Sequence, residues 1–481
     1  MDQQLFIAGR WESGTGSQVV TVRSPASGEA IGTAVMAGPE AARRAVAAAE
    51  KAGPLWRDTP PRRRSEALEA IARWIGEHVE ELARWITREE GKPLPEARGE
   101  VRYTASFFRF YAGEAERITG EIPPSPEPGR SLYLYREPIG VTLAITPWNY
   151  PMAMIARKLA AALAAGCTVV VKPAEETPLC AAALFQGVAA ALPPGVANLV
   201  TGLPDPLGEA LIHDPGVRKI TFTGSTQVGR HILHAAADRV ASVSLELGGN
   251  APFIVMDDAD VAEVVPAILR CKYRNAGQIC VALNRLYVQR RLHDPLAKAL
   301  AEAVASLKVG DGLEEGTVIG PMINQAALEK VEAHVSDATA RGARLLVGGR
   351  RLAEGGLDHG FFYAPSLLTH VPEGARMLTE ETFGPVAPLM AFDTEEEAIE
   401  RANRTPYGLA AYVFTRDLGR AERLTRALAF GMVGVNDPVP SLAEVAIGGM
   451  KESGLGREGG RQGLDEFLEW KYVSVRHPAA P

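Results

Sequence analysis

The chain has 481 residues, more than one hydrophobic core supports, so two or three domains are expected. Its formal net charge of -7, with 46% hydrophobic and 23% charged residues, disfavours a nucleic-acid polyanion as partner. No apolar run reaches the roughly 20 residues that span a bilayer, no basic-then-apolar leader opens the chain, and Cys167, Cys180, Cys271 and Cys280 show neither CxxC nor zinc-ligand spacing; a reducing cytoplasm is the expected compartment.

Residues 38–118 read as helices, because Ala, Glu, Arg and Leu dominate and apolar positions recur at three and four. Arg62-Arg63-Arg64 falls in this stretch and is expected on a solvated helix face. The proline-rich Ile122-Pro-Pro-Ser-Pro-Glu-Pro-Gly129 then breaks the pattern ahead of Leu132-Tyr-Leu-Tyr135, which reads as a hairpin-like arm. From Gly140 onward, apolar β runs at 141–145, 168–171, 197–200, 219–223, 242–247 and 253–256 alternate with helical stretches that include 152–165, 179–191 and 227–236. Such alternation predicts parallel strands joined by crossovers, a doubly wound sheet with its ligand at the carboxyl ends of the strands. A second α/β unit follows at about 284–436, with β runs at 286–289, 344–347 and 411–414. The chain closes with a glycine-rich stretch at 448–463 and a strand-like segment at 467–475.

Four short segments carry candidate chemistry. Asn275-Ala-Gly-Gln-Ile-Cys280 sets a thiol in a loop after a helix, where it is either a nucleophile or an inert buried cysteine. Ser244-Leu-Glu-Leu-Gly-Gly-Asn250 places Glu246 in an apolar strand; desolvation there raises a carboxyl pKa and suits it to general-base work, whereas a solvent-facing position would not. In Ile145-Thr-Pro-Trp-Asn-Tyr-Pro151, the amide of Asn149 can donate to an oxyanion or simply close an Asx-type turn. Phe222-Thr-Gly-Ser-Thr-Gln-Val-Gly229 runs from a strand into a helix, so its N–H groups can face a pyrophosphate. Arg230-His231 stand where a Walker loop needs Lys and Ser or Thr, which excludes an ATP-binding loop. Gly454-Leu-Gly-Arg-Glu-Gly459 has the GxGxxG form but lies too near the end for a complete βαβ unit. His231 and His234 lack a third ligand and no GxSxG elbow occurs, so no metal or serine-hydrolase site is expected.

In order and spacing these segments resemble the aldehyde dehydrogenase superfamily over nearly the whole chain. The resemblance rests on 146–151, Lys172-Pro-Ala-Glu-Glu-Thr-Pro178, 222–226, 245–250, 275–280, Glu380-Glu-Thr-Phe-Gly-Pro-Val386 and Gly448-Gly-Met-Lys-Glu-Ser-Gly-Leu-Gly-Arg-Glu458. It implies a Rossmann-like cofactor domain (1–121 and 140–250), an α/β catalytic domain (251–436), a β oligomerisation arm (122–139 and 459–481) and a substrate-mouth loop and linker (437–458). The arm and the strand-like 467–475 would pair across subunits, giving a homodimer or homotetramer. The resemblance further implies Cys280 as nucleophile, Asn149 with the Cys280 N–H as oxyanion donors, and Glu246 as general base. Lys172 and Glu175 would meet the adenosine ribose, Gly224, Ser225 and Gly229 the pyrophosphate, Trp148 the cofactor's flank, and Glu381 with Phe383 the nicotinamide end.

Within the superfamily, 245–260, 272–278, 284–289 and 454–459 are most similar to succinate-semialdehyde dehydrogenases. That similarity implies Arg157, Arg274 and Ser441 as a clamp on the substrate's far carboxylate, although Arg157 also reads as a surface helix residue. Ala446-Ile447 and Asp437-Pro-Val-Pro440 depart from the usual mouth, leaving other ω-carboxy, aliphatic or aromatic aldehydes as alternatives. Ala282 stands where some relatives carry a second cysteine, so no disulfide switch is expected. Glu175 can accept from ribose hydroxyls and repel a 2′-phosphate, which favours NAD over NADP. The rivals are a CoA-acylating enzyme, which needs no water-activating Glu246, and a non-catalytic member, which needs no intact Cys280, Glu246 and Asn149.

Overall fold

A computed structural model describes residues 2–14 and 18–478. The N-terminal segment contributes β1 (Asp2–Gln3), β2 (Leu5–Ile7), β3 (Arg10–Glu12), β4 (Gln18–Arg23) and β5 (Ala30–Met36). Four helices follow: α1 (Pro39–Arg57), α2 (Pro61–Glu77), α3 (Val79–Glu90) and α4 (Leu94–Ala115). Prolines in the first turn of α1, α2 and α4 start each helix where a missing N–H costs nothing. Gly91, at φ +98°, ends α3 in the left-handed conformation that glycine adopts without steric cost.

Strand β6 (Arg130–Pro138) stands apart from the doubly wound unit, which is built from β7 (Thr142–Ile145), α5 (Ala153–Ala165), β8 (Val169–Lys172), α6 (Pro178–Ala191), β9 (Ala197–Leu199), α7 (Glu209–Ile212), β10 (Lys219–Thr223), α8 (Thr226–Ala237) and β11 (Ser242–Glu246). Its strands β7 to β11 are parallel and lie in the spatial order β11-β10-β7-β8-β9. They carry near-continuous buried runs such as Val169-Val170-Val171, as strands covered on both faces must. The winding direction reverses between β7 and β10, so a crevice opens beyond their carboxyl ends.

The second unit comprises β12 (Ala251–Val255), α9 (Val261–Lys272), β13 (Leu283–Gln289), α10 (Arg290–Ala305), α11 (Gln325–Ala340), β14 (Arg344–Val347), β15 (Ser366–Thr369), β16 (Val386–Phe392), α12 (Glu395–Asn403), β17 (Ala410–Phe414), α13 (Leu418–Ala427) and β18 (Met432–Val435). Its sheet runs β14-β15-β16-β13-β12-β17-β18, with only β14 antiparallel. The chain then returns to the first sheet through β19 (Gly454–Leu455), antiparallel to β11, and ends in α14 (Gly460–Asp465) and β20 (Leu468–Arg476). Gly454 of the GxGxxG segment therefore sits on a sheet edge. The residues from Glu246 to Ala251 lead directly from the carboxyl end of one sheet to the amino end of the other.

Two expectations change. The arm and the C-terminal strand pair with each other inside one chain, β6 against β20 from Pro138↔Leu468 to Arg130↔Arg476. Each strand satisfies one edge of the other, so neither depends on a second subunit for that edge. The arginine run is also divided: Arg62 and Arg63 are exposed and reach Glu66, whereas Arg64 is buried and donates to the carbonyls of Arg57 and Thr59. Among the described residues no helix is long and apolar enough to cross a membrane.

Candidate active site

Four chain passages bring the candidate reactive and cofactor-side groups to one cavity of about 600 Å³. The loop after β7 brings Trp148 and Asn149, the turn after β10 brings Gly224 and Ser225, the end of β11 brings Glu246, and the turn after α9 brings Cys280. The crevice beyond the first sheet thus faces the amino ends of the second.

Cys280 follows an unusual turn: Asn275, Ala276 and Gly277 all lie at positive φ, +50°, +51° and +72°. A Cβ at Gly277 would stand 2.2 Å from the Gly384 carbonyl oxygen, so glycine is required there for contact as well as conformation. The thiol is partly exposed to the cavity, and its surroundings push its pKa up to about 12; burial is the main cause, the Glu381 and Glu246 charges add to it, and Arg157 opposes them. At neutral pH the resting thiol is protonated, so attack requires a base.

Glu246 is buried, and its Oε1 has no hydrogen-bond partner among the described residues. Burial, then the charge of Glu458, hold its carboxyl well above the ordinary range, against the pull of Arg157 and Lys158. That environment makes a carboxylate a stronger base than it is in water. Glu458, buried at the end of the glycine-rich return, accepts from Lys158 Nζ and lies 3.1 Å from Arg157 Nε. Lys158 and Arg157 hold it ionised despite its burial.

Asn149 is buried with its side chain fixed, Nδ2 donating to the Gln278 carbonyl at 2.9 Å. An amide carries two N–H bonds, so one remains for another acceptor. Arg157 is buried on α5, which removes the surface-residue reading, and its Nη2 has no partner among the described residues. Arg274 also lines the cavity with an unpartnered Nε. Ser441 Oγ lies 2.9 Å from the Tyr103 hydroxyl.

Toward the cofactor side, the Ser225 hydroxyl caps α8 by accepting from Val228 N–H at 3.3 Å, and Glu381 and Phe383 line the same cavity. Glu381 Oε1 accepts from Gly249 N–H at 3.1 Å, and burial raises its carboxyl to about 7. Phe383 stands edge-on to Trp148, ring centres 5.6 Å apart. A Cβ at Gly248 would come within 3.0 Å of Glu381 Oε2, a cradle that a larger residue would fill. Lys172 and Glu175 lie away from this cavity, at the end of β8, with Nζ 3.7 Å from Oε2. Gly229 sits inside α8, where a Cβ would strike Leu247 at 2.5 Å.

The structure adds groups to those singled out from sequence: Lys92, Glu96, Glu100 and Tyr103 line the cavity, and Glu458 stands behind Glu246. Glu96, Glu100 and Tyr103 recur at four and three residues on one face of α4. That spacing was a usable signal, masked because charged helix positions ordinarily face solvent. Among the described residues no group of three or more His, Cys, Asp or Glu is placed to hold a metal ion.

A doubly wound sheet with a capped strand-to-helix turn, joined to an α/β unit that delivers a cysteine to the crevice, fits an oxidoreductase acting on aldehydes with NAD(P), and the likeness to known proteins shows that class. Residues 11–473 match the aldehyde dehydrogenase family, and the chain belongs to that family. It is 47% identical over 474 residues, 98% of each chain, to the glutarate-semialdehyde dehydrogenase of Pseudomonas putida. Over 474 residues, again 98% of each chain, it is 46% identical to the succinate-semialdehyde dehydrogenase [NADP(+)] of Escherichia coli. Among solved structures, succinate-semialdehyde dehydrogenase from Burkholderia pseudomallei superposes with a TM-score of 0.96 at 46% identity, covering 98% of both chains. Betaine aldehyde dehydrogenase from Staphylococcus aureus in complex with NAD+ superposes at 0.97 and 37% identity, covering 100% of this chain and 96% of that one.

Proposed function

We propose that this enzyme oxidises an aldehyde bearing a far-end carboxylate, of the succinate-semialdehyde class, to the corresponding acid, with NAD preferred over NADP. The observation that carries the proposal is one cavity holding Cys280, Glu246 and Asn149 together with two buried or half-buried arginines whose guanidinium groups retain unpartnered nitrogens. A buried guanidinium with a free edge suits a carboxylate, which it binds through charge-assisted hydrogen bonds.

Glu246 takes the proton of the Cys280 thiol as Sγ bonds to the aldehyde carbon. The former carbonyl oxygen, now an oxyanion of the thiohemiacetal, accepts from the free Asn149 N–H and from the Cys280 backbone N–H. NAD(P), when bound, would supply the oxidant by taking up hydride; the substrate carbon, losing that hydride as its carbonyl re-forms, is left as a Cys280 thioester. Once its first proton has been lost to solvent, Glu246 takes another from water, whose oxygen attacks the thioester carbon. The C–S bond then breaks, releasing the acid and returning Cys280 as thiolate. Gly224 and Ser225 would hold the cofactor's pyrophosphate, with Gly229 letting the opening of α8 pack on Leu247, Lys172 and Glu175 would meet its adenosine ribose, Trp148 its flank, and Glu381 and Phe383 its nicotinamide end; the cradle at Gly248 and the capped start of α8 fit such a group. The NAD preference rests on the Glu175 carboxylate, which repels a 2′-phosphate.

The same clamp accommodates other far-end anions. Relatives at 46–47% identity are named for glutarate semialdehyde and, in Pseudomonas putida, for 3-sulfolactaldehyde. The exposed Tyr135, Trp470 and Tyr472 of the β6–β20 sheet support a homodimer or homotetramer, and four free cysteines support a cytoplasmic setting. The test is reduced-cofactor formation with succinate semialdehyde, glutarate semialdehyde, benzaldehyde and butanal, each with NAD and NADP, with Cys280→Ala as control. Preference for the carboxylate substrates, lost in Arg274→Met, supports the clamp. Equal turnover of butanal refutes it while leaving the dehydrogenase intact.

A further inference from the structure

The turn that presents Asn149 is gripped from outside the catalytic loop by a buried ion pair at the α3–α4 junction. Lys92 Nζ donates to the Asn149 carbonyl at 2.7 Å and to Glu100 Oε2 at 2.6 Å. It also sits 3.8 Å from the centre of the Tyr150 ring. The other oxygen of Glu100, Oε1, accepts from Met152 N–H at 3.0 Å and Ala153 N–H at 3.3 Å. One salt bridge therefore holds both ends of the segment from Asn149 to Ala153, the carbonyl at its start and the amides opening α5 at its finish.

Both charged side chains are nearly inaccessible, at 1% and 0% exposure, so no solvent competes for these bonds. Burial works against the charge on Lys92, yet Glu100 and Glu90 hold it above the ordinary lysine range, so the ammonium keeps its proton. A buried pair of this kind is a weak source of stability but a strong fixer of geometry, because neither partner has another low-energy position. The junction is itself anchored by the second unit. A Cβ at Gly320 would stand 2.2 Å from the Gly91 carbonyl oxygen, and one at Gly312 would stand 2.6 Å from that of Lys92. Asn149 is thus referred to the same body that carries Cys280, and a second tie, from Asn275 Nδ2 to the Asn149 carbonyl at 3.1 Å, runs to the cysteine loop directly.

We infer that Lys92 and Glu100 are positioning residues for the oxyanion: acting through the Asn149 backbone, they set where the Asn149 amide points relative to Cys280 Sγ. The inference rests on the oxyanion role proposed for Asn149. An oxyanion donor helps only if it is aimed at the oxygen before charge develops, and loss of one such donor costs about 100- to 1,000-fold in kcat.

The test uses the full-length enzyme with NAD and saturating aldehyde. Lys92→Met should lower kcat by roughly tenfold or more, within the bound set by a lost donor, with KM nearly unchanged. Glu100→Gln retains an acceptor for Met152 and Ala153 but sets an amide N–H against Lys92, so it should lower kcat in the same way while leaving Glu90 Oε2 in place 3.9 Å from Lys92 Nζ. Both are compared with Asn149→Ala and with the double variants. Alkylation of Cys280 by iodoacetamide forms no oxyanion, and its rate should stay within about twofold of wild type in each variant.

A kcat loss that is absent on top of Asn149→Ala, with alkylation preserved, supports the inference. Losses that multiply with Asn149→Ala, alkylation falling in parallel with kcat, or unchanged kcat in Glu100→Gln each overturn it. If Lys92→Met fails to fold, Glu100→Gln and its double variant with Asn149→Ala decide the matter. If Asn149→Ala itself keeps full kcat, the oxyanion reading falls and takes this inference with it, a result distinguishable from a fault in the positioning pair alone.

Discussion

Arg274→Met is the sharpest test of substrate choice, because the two clamp arginines are held differently. Arg157 is already engaged with Glu458, 3.1 Å away, so its removal disturbs a buried carboxylate next to the general base. Arg274 carries an unpartnered Nε, and a bound carboxylate would complete it. Methionine preserves much of the volume and removes only the charged fork. A hydrogen bond to a charged group contributes about 1.5–3 kcal/mol, and each 1.4 kcal/mol is tenfold, so KM for succinate semialdehyde should rise roughly 10- to 150-fold. kcat should change little, since Arg274 touches neither Sγ nor the aldehyde carbon. Butanal, which has the same chain length without the carboxylate, should show KM within about twofold of wild type. Initial rates of NADH formation over a range of each aldehyde give both constants. A rise in KM of equal size for butanal would show that Arg274 shapes the cavity without gripping a carboxylate, and the reasoning would fail.

Three further outcomes follow from the same geometry. Glu246 has a raised pKa, so it loses its basic form as pH falls through that value; kcat/KM should decline on the acid side from well above the ordinary glutamate value of about 4.3, and this limb should vanish in Glu246→Gln. Glu175→Ser should raise kcat/KM for NADP relative to NAD by about tenfold, measured as the ratio of initial rates with the two cofactors, because one repelling charge is removed. Gly277→Ala should lower the melting temperature and turnover together, since its φ of +72° and the 2.2 Å approach to the Gly384 oxygen leave no room for Cβ; a strained site of this kind costs on the order of 1–3 kcal/mol, read by thermal unfolding.

What the sequence reveals here is what local patterns encode. Strand β8 is a run of valines and α5 an alanine-rich stretch, so both are legible without a partner, and the turns at Gly248 and Gly277 announce close approach. Glu246 and Cys280 stand out because each is a reactive group in an apolar or glycine-bearing setting. The short strands β1, β2 and β3 escape because two or three residues carry no usable periodicity. Buried charges escape for a different reason. Lys158 meets Glu458 across 300 residues, and Tyr103 meets Ser441 across 338, so the compensation that makes burial tolerable lies far away in sequence. The β6–β20 pairing is hidden likewise: alternation shows that each segment is a strand, but nothing local says that its partner lies in the same chain.

The far end of the substrate and the general base are electrically connected, and this has a measurable consequence. Arg157 lowers the pKa of Glu246, while Glu458, the partner of Arg157, raises it. A substrate carboxylate resting on Arg157 partly neutralises that guanidinium, so its lowering effect on Glu246 diminishes and the pKa of Glu246 rises in the complex. A base with a higher pKa is protonated over more of the pH range, and the acid limb of kcat must then move upward. Butanal brings no charge, so its limb should stay where the neutral complex puts it. The expected result is an acid limb in kcat at higher pH for succinate semialdehyde than for butanal, with the difference abolished in Arg157→Met. Limbs that coincide for the two substrates in the wild-type enzyme would show that the carboxylate does not reach Arg157, leaving Arg274 and Ser441 as the clamp.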